Sequence, residues 1–413
     1  MPLRILHIST RLILGGSQEN TILSCEGQSR LGHNVHLAFG PIYGPEGSML
    51  DRVHAFNKHA AQPITTHEIP DLVREVHPLR DRRGLHQLRN LIELIEPDIV
   101  HTHSSKAGIL GRFAAHQCLR KPVRTGRAPI GIVHTIHGPP FMPIEGPPLR
   151  RLKTRTLNHL YTIAERAAAQ RCHLIVSVAD AMTSQFLARR IGSPDQYTTI
   201  RSGIELEPYL NPTSDQTRDA IRQHLGLAPH HFVIGTVARL AEHKGHDDIL
   251  TALAPLLRER PHWRLLWVGD GWWKDRLLAR ARDLAIDSSL ITTGLVPASE
   301  IPGLMRAMDI LCHPSSREGL PRTVPQALIA GTCPVAYDVD GTGEVCRDMI
   351  TGRLIPHADL DALRNAVIML ADNPELRARL AATGQAECLE SFSAQRMVQQ
   401  LQEVYSRALS MAR

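Results

Sequence analysis

The chain has 413 residues, of which 43% are hydrophobic and 21% are charged, and its formal net charge is +6. This length allows two or three domains with sizeable cores, and the composition is that of an ordinary globular protein. No apolar run approaches the roughly 20 residues of a membrane-spanning helix, and the segment LRILHIST lacks a signal-peptide pattern. The seven cysteines form no C-x-x-C pair, which predicts reduced, buried thiols in a cytoplasmic protein rather than zinc sites or disulfides.

Basic residues are concentrated in one segment. Between Lys106 and Arg171 there are twelve Lys or Arg residues and two acidic ones. This balance indicates an anionic partner such as nucleic acid, anionic lipid or a phosphorylated substrate, although solvated surface charge gives the same pattern. Nucleic acid is disfavoured, because aromatic residues make up only 4% of the chain and are not interleaved with the basic ones.

The first predicted elements are a strand at Leu3–Ile8 and a helix from about Ser17 to Leu31. Gly15 and Gly16 directly precede this helix, and paired glycines allow a ligand to approach the N–H groups at a helix N-terminus. A tight turn explains the pair equally well. The segment is not G-x-G-x-x-G, so it does not predict a dinucleotide site.

A strand at Asn34–Phe39, a variable loop rich in Pro and Gly, and a helix at Gly84–Glu96 come next. The following strand ends in His101 and His103. Alternate strand residues share a face because of the pleat alone, and no third ligand is spaced nearby, so we predict no metal site here.

The strand Gly131–Ile136 is followed by His137. A polar residue at the carboxyl end of a buried parallel strand faces the crevice where such sheets bind ligands, so His137 is a predicted donor contact; a histidine that caps its own loop is the alternative. A basic helical segment then begins with cations that oppose the helix dipole, which favours an acceptor or an anionic membrane as partner. These cations are Arg150, Arg151, Lys153 and Arg155.

Apolar strands and amphipathic helices alternate throughout, which predicts an α/β protein with two parallel sheets. We place the hinge near Gly203, which gives domains at residues 1–203 and 204–390 and a closing helix at 391–413. The apolar stripe of this helix predicts that it packs on another element.

In the second half, a strand at Val233–Ala238 leads to Arg239 and Lys244 before a helix. Two cations in a strand–helix loop are suited to a diphosphate. Turns at Gly269 and Gly294 offer backbone groups that could hold a flat base.

The stretch Ile310–Gly331 combines a strand end, a turn of small residues and a helix start. Its carboxylate, Glu318, would repel phosphate but is suited to accepting hydrogen bonds from sugar hydroxyls. A turn with a surface glutamate is the alternative.

Seven motifs in order then resemble the family 4 glycosyltransferases over almost the whole chain. They are GGSQEN, PDIVHTHSSKAG, HTIHG, RSGIE, ARLAEHKG, VGDG, and SSREGLPRTVPQALIAG with DGTGEV. The resemblance implies the GT-B fold, two Rossmann-like domains facing a cleft, with the last helix crossing back to the N-terminal domain.

The resemblance also implies residue roles. Arg239 and Lys244 would hold and stabilise the diphosphate of a nucleotide-sugar, Gly16 and its neighbours would approach the same phosphates, His137 would contact the transferred sugar, and Glu318 would bind the donor sugar as the first Glu of an E-x7-E motif.

The second position of that motif is Gln326, where the family usually has Glu bound to the ribose. Gln keeps an acceptor oxygen but loses the charge. Gly319 and Leu320 complete the implied donor site, together with the turns at Gly269 and Gly294.

The implied reaction is transfer with retention, without metal or cofactor, from a nucleotide-sugar (by family frequency a UDP-sugar) to a glycan or lipid-linked acceptor, in the cytoplasm or at the inner face of the plasma membrane. Two alternatives stay open. A nucleotide-sugar epimerase would isomerise its donor without acceptor, and a non-catalytic binding relative is favoured by Gln326 but opposed by the retained Arg239, Lys244 and Glu318.

Overall fold

The computed structural model describes residues 2–43, 47–119, 129–142 and 147–412. The chain divides into two compact units, residues 1–203 with 394–413 and residues 204–393. The predicted second domain ended at residue 390, whereas the second unit continues to Ser393. Parts of the basic segment, residues 120–128 and 143–146, lie outside the described residues.

The first unit contains a sheet of parallel strands. They are β1 (Arg4–Ser9), β2 (Asn34–Phe39), β3 (Thr65–Glu68), β4 (Ile99–His103), β5 (Gly131–Ile136), β6 (Leu174–Ser177) and β7 (Tyr197–Thr199). Its helices in this part of the chain are α1 (Gly16–Arg30), α2 (Leu50–Asn57), α3 (Pro78–Ile95), α4 (Ser105–Leu119), α5 (Pro148–Ala169) and α6 (Asp180–Ala188). The strand order β3-β2-β1-β4-β5-β6-β7 reverses between β1 and β4, and ligands bind at such switch points beyond the carboxyl ends of the strands.

The second unit has a parallel sheet of the same type. Its strands are β8 (Phe232–Val237), β9 (Trp263–Val268), β10 (Leu290–Gly294), β11 (Ile310–His313), β12 (Cys333–Tyr337) and β13 (Arg353–Ile355). Its helices are α7 (Glu207–Leu210), α8 (Arg218–His224), α9 (His246–Glu259), α10 (Lys274–Asp283), α11 (Ile301–Ala307), α12 (Thr323–Ile329), α13 (Leu360–Asp372) and α14 (Pro374–Ser391). The order β10-β9-β8-β11-β12-β13 places the switch point between β8 and β11.

The chain between β2 and α3 is not simply the variable loop that the sequence indicates, because it contains α2 and β3. Strand β3 is a short edge strand with exposed and half-buried residues, so it has no hydrophobic run to reveal it. Helix α3 begins at Pro78 rather than Gly84. Proline is favoured in the first turn of a helix, and His77 caps this one by accepting a hydrogen bond from the Arg80 backbone N–H at 3.4 Å.

The last helix, α15 (Ala394–Ala412), belongs to the first unit. Its stripe of Met397, Leu401, Val404 and Tyr405 is buried in one cluster with side chains of β1, β4 and β5. Burial of each such side chain contributes about 1.5–3 kcal/mol to folding. The predicted apolar stripe is therefore the face that attaches the end of the chain to the first sheet.

All seven cysteines are buried thiols, as their pattern predicts. Burial raises the pKa of the Cys333 thiol to about 12, so this group stays protonated at neutral pH. Among the described residues, no helix combines the length and the apolar character that crossing a membrane requires.

Candidate active site

The centre of the candidate donor site lies where β8 and β11 end side by side in the second sheet. Lys244 lies in the loop that follows β8, and Glu318 lies in the loop that follows β11. The Lys244 ammonium donates to Glu318 Oε1 at 2.6 Å. The fold thus joins a predicted phosphate-binding cation and a predicted sugar-binding carboxylate at the switch point of the sheet.

The two loops are held together by their backbones. The carbonyl oxygen of His243 accepts the Ser316 backbone N–H at 2.8 Å and the Ser315 hydroxyl at 3.0 Å. Gly245 is in the left-handed region, with φ of 72°, directly before α9, and a Cβ at this position would overlap the carbonyl oxygen of Pro314. Only glycine meets both demands without strain, so this residue sets the distance between the loops.

Glu318 is held by three neighbours. His313 Nε2 lies 3.1 Å from the same Oε1 that accepts from Lys244, and the Glu318 backbone N–H donates to Asp340 at 2.8 Å. Burial by itself would raise the pKa of the Glu318 carboxyl, but Lys244 and then His313 outweigh it and hold that pKa well below its usual range. Glu318 is therefore a fixed, ionised hydrogen-bond acceptor at neutral pH.

Sequence reasoning missed His313 and Asp340 as members of this site. His313 is the last residue of β11, so the argument from strand ends that selected His137 applies to it equally. Asp340 is the first residue of the DGTGEV motif, to which the resemblance assigned no role. Its carboxylate accepts the Glu318 backbone N–H and so orients that residue.

Arg239 and the glycine turns surround the same end of the sheet. The guanidinium carbon of Arg239 lies 5.6 Å from the centroid of the Trp272 ring, and Trp272 is 66% exposed. Gly269 has φ of 137°, and a Cβ there would overlap the carbonyl oxygen of Ala238. Its N–H donates to the carbonyl of Gly294 at 3.0 Å, so the two predicted turns are one hydrogen-bonded unit beside Arg239.

The remaining predicted donor residues lie on and after the Glu318 loop. Gly319 and Leu320 are buried, and the Gly319 carbonyl accepts the N–H of Gly341 at 3.0 Å. Gln326 is buried in α12, with 8% of its surface exposed.

In the first unit, Gly15 and Gly16 are exposed at the N-terminus of α1. Gly15 has an extended backbone, so its conformation does not by itself require glycine. His137 directly follows β5 and is half-buried, and its Nε2 lies 3.1 Å from His103 Nδ1.

The structure supplies the third histidine that the sequence did not indicate near His101 and His103. His7 of β1 pairs in register with His101, and one ring nitrogen from each of the three lies within 4.8 Å of the others. Both ring nitrogens of each of these histidines are already engaged in hydrogen bonds. A metal ion could bind only by displacing those bonds.

The predicted acceptor or membrane residues lie on the first half of α5. Arg150, Arg151, Lys153 and Arg155 are all exposed. Exposed apolar side chains accompany them on this helix: Leu149, Leu152, Leu160 and Ile163. The far end of the helix is anchored by a buried ion pair, in which Arg112 of α4 donates to Glu165 at 2.5 Å.

The chain is similar to known glycosyltransferases over most of its length. Residues 14–208 match the family described as Glycosyltransferase Family 4, and residues 217–387 match Glycosyl transferases group 1. An Escherichia coli UDP-Gal:alpha-D-GlcNAc-diphosphoundecaprenol alpha-1,3-galactosyltransferase is 25% identical over 98% of this chain and 96% of its own length. The putative glycosyltransferase EpsD of Bacillus subtilis is 27% identical over 79% of this chain and 80% of its own.

Among solved structures, Anabaena Alr3699/HepE in complex with UDP and glucose matches with a TM-score of 0.77 at 20% identity, covering 98% of this chain and 99% of that one. At this identity the likeness establishes the fold alone. Two family matches span most of the chain, and two parallel-sheet units give the architecture. The protein belongs to the family 4 glycosyltransferases and has the GT-B fold.

Proposed function

We propose that the protein is a retaining glycosyltransferase that moves a hexosyl or N-acetylhexosaminyl group from a UDP-sugar to a lipid-linked or cell-surface glycan. The observation that carries this is the contact between Lys244 and Glu318, 2.6 Å apart at the carboxyl ends of two adjacent strands. In a nucleotide-sugar the sugar is bonded directly to the diphosphate. A site for such a donor therefore needs a cation and a hydroxyl acceptor as close neighbours.

The charges in this site suit departure of the diphosphate. As the bond from the anomeric carbon to the phosphate oxygen breaks, negative charge grows on the leaving group, and Lys244, Arg239 and the N-terminus of α9 would stabilise it. An ammonium group has three donors, so Lys244 can bind Glu318 and a phosphate oxygen together. The acceptor hydroxyl attacks the same face, and its proton passes to the leaving phosphate oxygen. In this mechanism no metal is required.

The names of relatives support the choice of donor and acceptor. The Escherichia coli relative is named for a UDP-galactose donor and a sugar carried on diphosphoundecaprenol, and its similarity extends over 98% of this chain. We therefore place a polyprenyl-diphosphate-linked sugar first among acceptors.

A two-substrate screen tests the proposal. Purified protein would be mixed with UDP-, GDP- and ADP-sugars and with synthetic polyprenyl-diphosphate sugars, in the presence of EDTA, and nucleotide release and product anomeric configuration would be measured. We expect UDP release in proportion to acceptor consumed and a retained configuration. Isomerisation of a donor without acceptor would show an epimerase instead, and tight donor binding with no turnover on any acceptor would show a binding protein.

We further propose that α5 lies on an anionic membrane surface at the inner face of the plasma membrane. Its exposed face carries Leu149, Leu152 and Leu160, which are 80%, 62% and 57% exposed in the described part of the chain. Arg150 and Arg151 lie among them. An amphipathic helix of this type binds interfaces by inserting apolar side chains while its cations contact anionic headgroups.

Vesicle flotation tests this surface. We expect binding to phosphatidylglycerol vesicles at low salt, no binding to phosphatidylcholine vesicles, and loss of binding in the double variant Arg150→Glu/Arg151→Glu. The double variant Arg82→Glu/Arg379→Glu changes the net charge equally at exposed positions elsewhere and should still bind. Absence of binding at low salt would refute the proposal.

A further inference from the structure

The two oxygens of the Glu318 carboxylate have different surroundings. Oε1 lies 2.6 Å from the Lys244 ammonium and 3.1 Å from Nε2 of His313. Oε2 accepts no hydrogen bond from the residues that the structure describes, and it is not among their buried atoms without a partner, so solvent reaches it. The side chains of Glu318 and His313 are otherwise enclosed, at 12% and 4% exposure. A ligand can therefore reach this carboxylate at Oε2.

His313 is held at both ring nitrogens. It is the last residue of β11, and its Nδ1 lies 3.3 Å from the hydroxyl of Thr323, the first residue of α12. The ring thus connects the end of the strand with the helix that follows the Glu318 loop. Because rotation of the imidazole would break both contacts, its Nε2 stays directed at Oε1.

The contact between His313 and Glu318 can have only one direction. Burial by itself would raise the pKa of the Glu318 carboxyl, but Lys244 and then His313 outweigh it and hold that pKa well below its usual range, so the group is ionised. An ionised carboxylate only accepts hydrogen bonds. His313 therefore carries a proton on Nε2, whether its ring is neutral or charged, and donates it to Oε1.

Lys244 by itself is a weak support for this carboxylate once a donor is bound. Its ammonium is carried on a flexible four-carbon chain that is 19% exposed, and it must also contact the diphosphate. His313 has a short, rigid side chain and belongs to the strand itself. It can hold Oε1 while Lys244 turns toward a phosphate, which keeps Oε2 directed at the open side of the site.

We propose that His313 is a positioning residue that holds the Glu318 carboxylate by Oε1, so that Oε2 accepts a hydrogen bond from a hydroxyl of the transferred sugar. This rests on the proposed function, because it needs a nucleotide-sugar in the site. The two neighbours of Glu318 then act on different parts of the donor. Lys244 serves the diphosphate, which free UDP also carries, whereas His313 acts only on the sugar.

His313→Leu removes the donor to Oε1 and keeps an apolar side chain in its place. His313→Gln is the rescue, because its amide N–H group extends about as far as Nε2. His231→Leu is the matched control: it removes a half-buried histidine directly before β8, at the other end of that strand, whose Nδ1 accepts the Ala228 N–H at 3.0 Å. If His313→Leu does not fold, His313→Asn replaces it, since its shorter amide is polar but does not reach Oε1.

Titration calorimetry without acceptor compares UDP with UDP-galactose, UDP-glucose and UDP-N-acetylglucosamine. For the UDP-sugar that wild-type protein binds most tightly, we expect His313→Leu to weaken affinity about fivefold, the value of one hydrogen bond, and to leave UDP affinity unchanged. His313→Gln should restore most of the loss, and His231→Leu should change neither affinity. Lys244→Met, in contrast, should weaken UDP and the UDP-sugar alike. Equal effects of His313→Leu on both ligands, or no effect on either, overturn the proposal.

Nitrogen-15 NMR of histidine-labelled protein at neutral pH, without ligand, tests the contact itself. The His313 signals are assigned by their absence from His313→Gln. We expect a proton on Nε2. A ring protonated on Nδ1 alone could not donate to Glu318 and would overturn the proposal.

Transfer assays separate this inference from the proposed function. If the protein transfers sugar but His313→Leu binds the UDP-sugar as tightly as wild type, the role of His313 is wrong and the transferase stands. If binding follows the expected pattern but no acceptor is glycosylated, the transferase is wrong and the role of His313 stands. Wild-type protein that binds none of the UDP-sugars overturns both.

Discussion

The ammonium of Lys244 lies 2.6 Å from Oε1 of Glu318, although 74 residues separate them in the chain. Either side chain alone is explained as an ordinary charged residue on the surface of a loop. Together, half-buried at the switch point of a parallel sheet, they form a fixed pair of opposite charges. Because each holds the other, a change to either residue should affect both the phosphate end and the sugar end of a bound donor.

Lys244→Met should lower kcat/KM for the nucleotide-sugar about 10²–10³-fold, because removal of one preorganised electrostatic contact to a developing charge has this effect in other enzymes. Lys244→Arg should recover part of the loss, since it restores the charge with a different geometry. Steady-state kinetics would measure this. Arg260→Gln, which removes an ion pair to Asp372 elsewhere in the same unit, should leave kcat/KM unchanged. An unchanged kcat/KM in Lys244→Met would show that Lys244 does not bind the diphosphate.

Glu318→Gln should reduce the free energy of unfolding by about 2 kcal/mol at pH 7, since it leaves Lys244 without its buried counter-charge. The pKa of Glu318 is lowered in the folded protein, whereas in the unfolded chain it is about 4.3. The unfolded state therefore binds the proton first as the pH falls, and the stabilisation is complete above about pH 5 and declines below that.

Urea denaturation across pH would measure this. The difference between wild type and Glu318→Gln should narrow as the pH falls from about 5 to about 3. Asp361→Asn, at a carboxylate that is 82% exposed, should show only a small difference throughout. A difference for Glu318→Gln that grows toward low pH would contradict the assignment.

Gly245→Ala should disturb the donor site more than the strain of a left-handed alanine alone would. Gly226 is a matched control, because its φ of 67° is close to the 72° of Gly245, but nothing lies within 4 Å of a Cβ there. Gly226→Ala should therefore cost only the left-handed strain, about 1 kcal/mol. Gly245→Ala must also move the Pro314 backbone, and we expect a larger loss of stability and a raised KM for the donor. Equal effects of the two variants on unfolding and KM would show that the loop spacing is not critical.

Removal of one member of the buried pair Arg112 and Glu165 should lower the free energy of unfolding strongly. Replacement of both by apolar residues should lower it much less. Their side chains are 0% and 2% exposed. Arg112→Met alone leaves an uncompensated buried carboxylate and should cost about 3–5 kcal/mol in the free energy of unfolding. The double variant Arg112→Met/Glu165→Leu should recover most of that loss. Chemical denaturation of the two variants separates a charge effect from a packing effect, because a packing effect would leave the double variant no more stable than the single one.

Gln326→Glu tests the position at which the chain departs from the E-x7-E motif. A charged acceptor strengthens a hydrogen bond to a hydroxyl by about 1 kcal/mol, so KM for the nucleotide-sugar should fall about fivefold. Free UDP should become a stronger competitive inhibitor by the same factor, because the ribose is part of UDP. If neither value changes, Gln326 does not contact the ribose.

Much of the architecture could be predicted because strand and helix periodicities are local properties of the chain. The strands Asn34–Phe39 and Gly131–Ile136 have in the structure the bounds that the sequence predicts. Strand β3 and helix α2 were missed. Both are short and half-exposed, and elements of this kind are held by their neighbours rather than by a hydrophobic pattern of their own.

The sequence by itself determined which polar loops lie together, because residues that follow buried parallel strands must lie at one edge of a sheet. It also determined that the last helix has one face to bury. Only the tertiary structure decided the partners: Lys244 with Glu318, His7 with His103, and Gln28 with Tyr405, which are 74, 96 and 377 residues apart. Such pairs depend on strand order and on where the end of the chain returns, and neither is encoded in the spacing of residues along one segment.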